Sequence, residues 1–165
     1  MTLAFDRPDL GRIGESAFQE VLGALFSRPP ILPDASSHRP LPRASDQITS
    51  NVLLAGPRLS GSVHLQLPRT FMMRLAQVLT GLDGAAGEND ALLKDAAGEL
   101  ANMVAGRVAA GLATHGYPCT LGIPSVCPSA PLPSELQPGA DHGRTDLMCE
   151  GHWLSLEVYC RFASP

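Results

Sequence analysis

Residues Gln47–Leu79 read QITSNVLLAGPRLSGSVHLQLPRTFMMRLAQVL, and the pattern changes twice inside them. In the first third Ile48, Val52 and Leu54 share one parity, and further on Val63, Leu65 and Leu67 share one parity. Both are signatures of strands with one covered face. Between them Gly56, Pro57 and Gly61 supply turn chemistry. From Pro68 the period lengthens to that of a helix, with proline near its start and Gly81 just past its end. A hairpin is antiparallel by construction, so this stretch predicts strand, strand, helix on an antiparallel sheet.

Working outward, Glu15–Ser27 carries Phe18, Val21, Leu22, Leu25 and Phe26 at helical spacing and predicts a first helix. The prolines of Ser27–Ser45 deny backbone donors, so that segment reads as a long, partly extended connector. After the loop GLDGAAGEND a long helix is expected from about Glu88 to His115, closed by Gly116. Cys119–Val126 reads as a short strand interrupted by Pro124, and Cys127–Gly143 as a second proline-rich connector. Thr145–Glu150 and Trp153–Phe162 predict a final hairpin around Gly151–His152, with strict alternation in its second strand. Helices and strands in blocks, joined by hairpins, predict an α+β fold with helices packed on a largely antiparallel sheet. A helix leads into a strand pair twice, which is a weak internal repeat.

The length of 165 residues fits a single domain over the whole chain, 1–165. A net charge of -4, with Lys94 as the only lysine, argues against nucleic acid as a partner, because phosphate binding needs clustered positive charge. No apolar run approaches the roughly 20 residues of a membrane span, and no basic segment leads into an apolar one at the N-terminus. The expectation is a cytoplasmic protein, without a membrane partner, whose four cysteines are reduced thiols.

The long helix contains DAAGELANMVAG, Asp95–Gly106. At about 100° per residue, Asp95, Glu99, Asn102 and Gly106 form one stripe, and Leu93, Ala97, Leu100, Met103, Val104 and Val108 lie opposite as the core face. Gly98, Ala101, Ala105, Gly106 and Ala109 lie beside or along the polar stripe, where a solvated helix face would carry long charged side chains. Each glycine costs about 1 kcal/mol relative to alanine in a helix interior. A low surface of this kind lets another backbone approach closely, with Glu99 and Asn102 projecting as i, i+3 neighbours. A plain solvated face, or glycines serving close packing within the fold, are the alternative readings.

This stretch resembles the signature helix of the CheX/CheC family of chemotaxis phosphatases, which dephosphorylate the phospho-aspartate of the response regulator CheY. The family pattern is Asp or Ser, then Glu, then Asn, then a distant proline. Here those places fall to Asp95, Glu99, Asn102 and, one residue early, Pro124. The hairpin with GPRLSGSVHLQLP, the helix after it and the closing hairpin are also similar to the family, over roughly Gly14–Phe162. The first helix keeps Ser16 and Glu20 at the motif spacing but has Gly23 in place of asparagine. One intact motif makes CheX the closer resemblance, and the degenerate half-motif accounts for the internal repeat. The resemblance implies that Asn102 orients the attacking water and that Glu99 docks on the receiver's active-site lysine. It implies that Asp95, Gly98 and Gly106 contact the partner. It also implies a phosphorylated CheY-like response regulator as substrate, Mg²⁺ held by that receiver, no cofactor of this chain's own, and a homodimer joined through its sheets.

The remaining candidates carry less. Cys119, Cys127, Cys149 and Cys160 make no CxxC pair, and with His115, His142 and His152 they match no standard zinc spacing, so no metal site is expected. Cys149 and Cys160 fall on apolar parity and read as buried thiols. Arg107 falls toward the apolar arc of the long helix, where it would snorkel or pair at the rim. A non-catalytic binding module on the same fold, and a small metal or thiol enzyme, are the competing functional readings.

Overall fold

The expected strand, strand, helix follows from residue 47 in the computed structural model, which describes residues 6–34, 46–82, 89–128 and 138–163. The loop GLDGAAGEND and the two proline-rich connectors lie largely outside the described residues. Strand β1 (Gln47–Ala55) pairs with β2 (Leu59–Pro68) in a register running from Gln47↔Pro68 to Ala55↔Ser60. The turn closes through Gly56 N–H donating to the Leu59 carbonyl at 2.9 Å. Helix α2 (Arg69–Thr80) follows directly and ends where Gly81 takes the left-handed conformation, φ 68°.

Strands β3 (Thr120–Leu121), β4 (Ser125–Pro128), β5 (Asp141–Cys149) and β6 (His152–Phe162) complete one six-stranded sheet. Its order is β3-β1-β2-β6-β5, with β4 also on β1, and every pairing is antiparallel. The single strand expected over Cys119–Val126 is thus two short strands on the same neighbour. The link Gly122–Pro124 breaks it: Gly122 N–H still donates to Leu53 O at 2.8 Å, but Pro124 has no donor to continue the ladder. The closing hairpin turns at Glu150–Gly151, both left-handed with φ 50° and 76°, one residue earlier than expected. Strand β5 also begins at Asp141 rather than Thr145, taking the last residues assigned to the second connector. The first connector contributes too, since Ile31 pairs with Met148 along the outer edge of β5 through two hydrogen bonds of 2.8 and 2.9 Å.

Helix α1 (Leu10–Leu25) starts five residues before its apolar pattern, because the Asp9 carboxylate accepts from Arg12 N–H at 3.1 Å and caps the first turn. Helix α3 (Asp90–Thr114) is capped by Asn89, whose side chain accepts from Leu92 N–H. The three helices share the core with one face of the sheet. Phe18, Val21 and Leu22 of α1, Phe71, Met72 and Leu75 of α2, and Leu93, Leu100, Val104 and Val108 of α3 bury against Val52, Val63, Leu65, Leu156 and Val158. This is the expected α+β architecture, with helices on an antiparallel sheet.

The other face of the sheet carries polar rows: Asn51–His64–Glu157–Arg144 is one, Leu53–Ser62–Tyr159–His142 the next. Alternation places these side chains away from the helices, yet Ser155, Glu157 and Tyr159 are fully or almost fully buried. Glu157 accepts from Arg144 Nη1 at 3.0 Å and from the Tyr159 hydroxyl, and His142 stacks on Tyr159 with ring centroids 4.5 Å apart. A buried carboxylate is tolerated here because it is hydrogen-bonded and paired.

Candidate functional site

Helix α3 lies with α1, α2 and strands β1, β3 and β4 around it, which leaves one narrow strip exposed. Asp95, Glu99 and Asn102 stand on that strip, all exposed. None of the three makes a hydrogen bond or ion pair among the described residues. A carboxylate and a carboxamide side by side, with every donor and acceptor unspent, can engage a charged and a hydrogen-bonding group of another molecule together.

The strip is narrower than the helical wheel suggests. Ala101 and Ala105, assigned to its flank, are buried at 1% and 0% exposure and belong to the core face. Their smallness lets α3 settle close on the sheet. Gly98 and Gly106 are half-buried and carry an internal contact as well. A Cβ on Gly98 would stand 3.7 Å from Pro124 Cβ and 3.8 Å from Val126 Cγ2; one on Gly106 would stand 4.0 Å from Leu121 Cδ1. Segment Leu121–Val126 therefore runs alongside α3 from Gly106 to Gly98. Asn102 lies one turn from each glycine on the same row of the helix, level with the middle of that segment. The distant proline of the sequence motif is in this way brought against the helix that carries the rest of it.

The degenerate motif on α1 has a different fate. Glu20 pairs with Arg107 of α3 at 3.1 Å, so the carboxylate at the Glu99-like position is already engaged, and Gly23 offers no amide. Arg107 thus pairs at the rim, as the wheel allows. Between these helices runs an open groove lined by Arg12, Ser16, Glu20, Arg107, Thr114 and His115. It does not include Glu99 or Asn102, which project from a surface and do not sit in a hollow.

The thiols lie apart from the strip. All four are free; Cys149 and Cys160 are buried, Cys119 is half-buried and Cys127 exposed. Burial pushes the Cys149 thiol up to about 11 and the Cys160 thiol up to about 12, which leaves neither as a nucleophile at neutral pH. Among the described residues no three His, Cys, Asp or Glu side chains converge as metal ligands, and no helix is long and apolar enough to cross a membrane.

Of the Gly122–Ile123–Pro124 link, the sequence singled out Pro124 as a motif position but not Gly122 or Ile123; the proximity of Pro124 to Gly98 brings the link to the helix.

The family profile for chemotaxis phosphatase CheX matches residues 48–142. No curated protein sequence matches the chain. Among solved structures, the chemotaxis protein CheX from Vibrio vulnificus is similar with TM-score 0.75 at 16% identity, covering 94% of this chain and 99% of that one. The CheX of a CheX–CheY–BeF3–Mg complex from Borrelia burgdorferi is similar with TM-score 0.70 at 16% identity, with the same coverage. Thermotoga maritima FliY is similar with TM-score 0.59 at 19% identity, covering 93% of this chain and 88% of that one. At these identities the solved structures speak for the fold, and the profile speaks for the family. Because it spans more than half of the sequence, including the strip on α3 and the proline beside it, the chain belongs to the CheX family of chemotaxis phosphatases.

Proposed function

We propose that this chain hydrolyses the phospho-aspartate of a CheY-like response regulator, with Glu99 and Asn102 as the residues that enter the receiver's active site. The observation that carries this reading is their pairing on α3: both exposed, neither hydrogen-bonded nor ion-paired among the described residues, one turn apart and following Gly98, which Pro124 lies against. A structurally similar CheX stands in complex with CheY, BeF3 and Mg, which supports a receiver as partner.

Water attacks phosphorus in line, the bond from phosphorus to the aspartyl oxygen breaks, and the products are a free aspartate and inorganic phosphate. The receiver supplies its own Mg²⁺ and lysine, so positioning is the chief task left to a partner. The Asn102 carboxamide oxygen accepts a hydrogen bond from the attacking water and so orients it, while its NH₂ donates toward a phosphoryl oxygen. Glu99 pairs with the receiver's lysine and fixes the approach. Asp95 lies one turn before Glu99 on the same exposed strip and contacts the partner without taking part in the chemistry. A homodimer joined through sheet edges accompanies this reading; light scattering on the purified chain tests it, and a monomer at micromolar concentration would remove it.

Phosphate release from the organism's phosphorylated receivers is the decisive assay. Asn102→Ala should abolish the stimulated release while leaving the unfolding midpoint nearly unchanged, because the side chain is exposed and makes no hydrogen bond among the described residues. Glu99→Ala should raise KM and lower the rate. Full activity in Asn102→Ala would remove the mechanism. Binding without any stimulated release by the wild-type chain would instead establish the non-catalytic module.

A further inference from the structure

The geometry points to Ile123 as the apolar contact that seats the receiver domain against Glu99 and Asn102, a specificity-determining residue for the proposed reaction. This inference rests on the receiver as partner. Ile123 is 92% exposed, the most exposed large hydrophobic side chain among the described residues. A lone exposed aliphatic residue is ordinary on a protein surface. Three observations set this one apart.

Its backbone is held on both sides. Gly122 N–H donates to Leu53 O at 2.8 Å, and a Cβ at Gly122 would already stand 3.3 Å from Leu53 Cβ, so the link is pinned to β1. Pro124 fixes its own φ and lies against Gly98 of α3. An isoleucine is stiff at χ1, so a fixed backbone also fixes where the side chain stands. Pre-positioned apolar surface binds without the entropy cost of ordering a loop.

Its place is fixed relative to the site. Segment Leu121–Val126 runs beside α3 from Gly106 to Gly98, and the middle of that segment is Ile123. Asn102 is the residue of α3 between those two glycines on the same strip. The link that carries Ile123 therefore passes along α3 at the level of Asn102, so a molecule reaching Asn102 comes close to it.

Its chemistry complements the pair. Glu99 and Asn102 supply a charge and a hydrogen-bonding amide, both of which favour water until a partner excludes it. An aliphatic side chain at the rim of such a contact excludes that water and adds burial that neither polar residue provides. The occupant is accordingly a receiver domain that presents an apolar patch next to its phosphorylated aspartate. Exposed isoleucine costs this chain nothing in stability, and it contributes only when the partner is bound.

The test uses the full chain and any phosphorylated receiver of the organism from which the wild type releases phosphate. Ile123→Asp should raise KM about tenfold or more with kcat at saturation nearly unchanged, the split expected when docking is lost and chemistry is not. Ile123→Leu should restore KM to near the wild-type value, and both variants should keep the wild-type unfolding midpoint. An unchanged KM in Ile123→Asp, alongside an inactive Asn102→Ala, would overturn the seating role and leave the phosphatase reading intact. A fall in kcat with KM unchanged would overturn it too, since Ile123 would then act on the chemistry. If the wild type released phosphate from no receiver, both readings would fall together.

Discussion

His64 shows how a single side chain acquires a property that its position in the pattern does not announce. It lies on the outer face of β2, 6% exposed, with Nε2 2.8 Å from Ser62 Oγ and its ring edge-on to Tyr159. Burial pushes its pKa below the ordinary value of 6.5, and Glu157, opposite it on β6, pulls it back only in part. The native state therefore holds a neutral ring where the unfolded chain would take up a proton. That contribution to stability is complete above about pH 6.5 and is lost as pH falls through that value toward the lower native pKa. Urea unfolding at about pH 7.5 and about pH 5.5 should show the wild type losing more stability than His64→Gln. Equal losses would mean that the ring is not buried neutral. Alternation in β6 told which residues share a face, but not that Ser155, Glu157 and Tyr159 on the second face are buried. What it could not carry is that polar groups on β6 and β5 pair with one another across the sheet and bury Ser155, Glu157 and Tyr159 among them. At the candidate site the reverse holds. Glu99 and Asn102 were legible because no described residue bonds to their side chains, and a residue without internal partners lies where a helical wheel puts it.

Among the elements, α1 was placed least well and explains most about spacing. Its apolar stripe was readable, but its start depends on the Asp9 cap, and its seat depends on glycines that touch other elements. A Cβ at Gly143 of β5 would stand 2.3 Å from Gly11 N and 2.4 Å from Leu10 C, so the first turn of α1 rests directly on that strand. Those are backbone atoms and cannot swing aside. Gly143→Ala should cost about 1–3 kcal/mol as an overpacking change. Gly23 offers the contrast, with nothing within 4 Å of an added Cβ on an exposed helical position. Gly23→Ala should stabilise by about 0.5 kcal/mol, since alanine loses less backbone entropy in a helix. Chemical denaturation of the two variants checks both signs, and destabilisation by Gly23→Ala would mean that this face of α1 is covered. The same reasoning bears on Gly98 and Gly106, for which the sequence left open a low surface for a partner or close packing within the fold. Leu121–Val126 lies alongside both, at ordinary contact distance from where a Cβ would stand, and that neighbour comes from a distant part of the sequence, so no local pattern could reveal it.

For the molecule as a whole, the profile match ends at residue 142, while the fold does not. Strand β6 sits between β2 and β5, and α1 packs on β5, β6 and α3, yet both α1 and β6 lie outside residues 48–142. A chain cut to the matched segment would lack a central strand and leave β2 without one neighbour. The unit that must fold together is therefore larger than the segment on which family membership is most legible. The cysteines report on this without a truncation. Cys149 of β5 and Cys160 of β6 are buried at 2% and 0% exposure in the same core, while Cys127 on β4 is exposed and Cys119 is half-buried, its thiol pushed up by burial. Only the thiolate attacks a disulfide reagent. In the native protein Cys127 should be labelled first and Cys119 more slowly. Cys149 and Cys160 should follow together, at a rate set by global opening, and in denaturant all four should react at once. If α1, β5 and β6 are one cooperative unit, a stabilising change such as Gly23→Ala on α1 slows both buried thiols by the same factor. Cys149 reacting well ahead of Cys160 would show instead that β5 opens separately at the sheet edge, with the Ile31–Met148 pairing too weak to hold it.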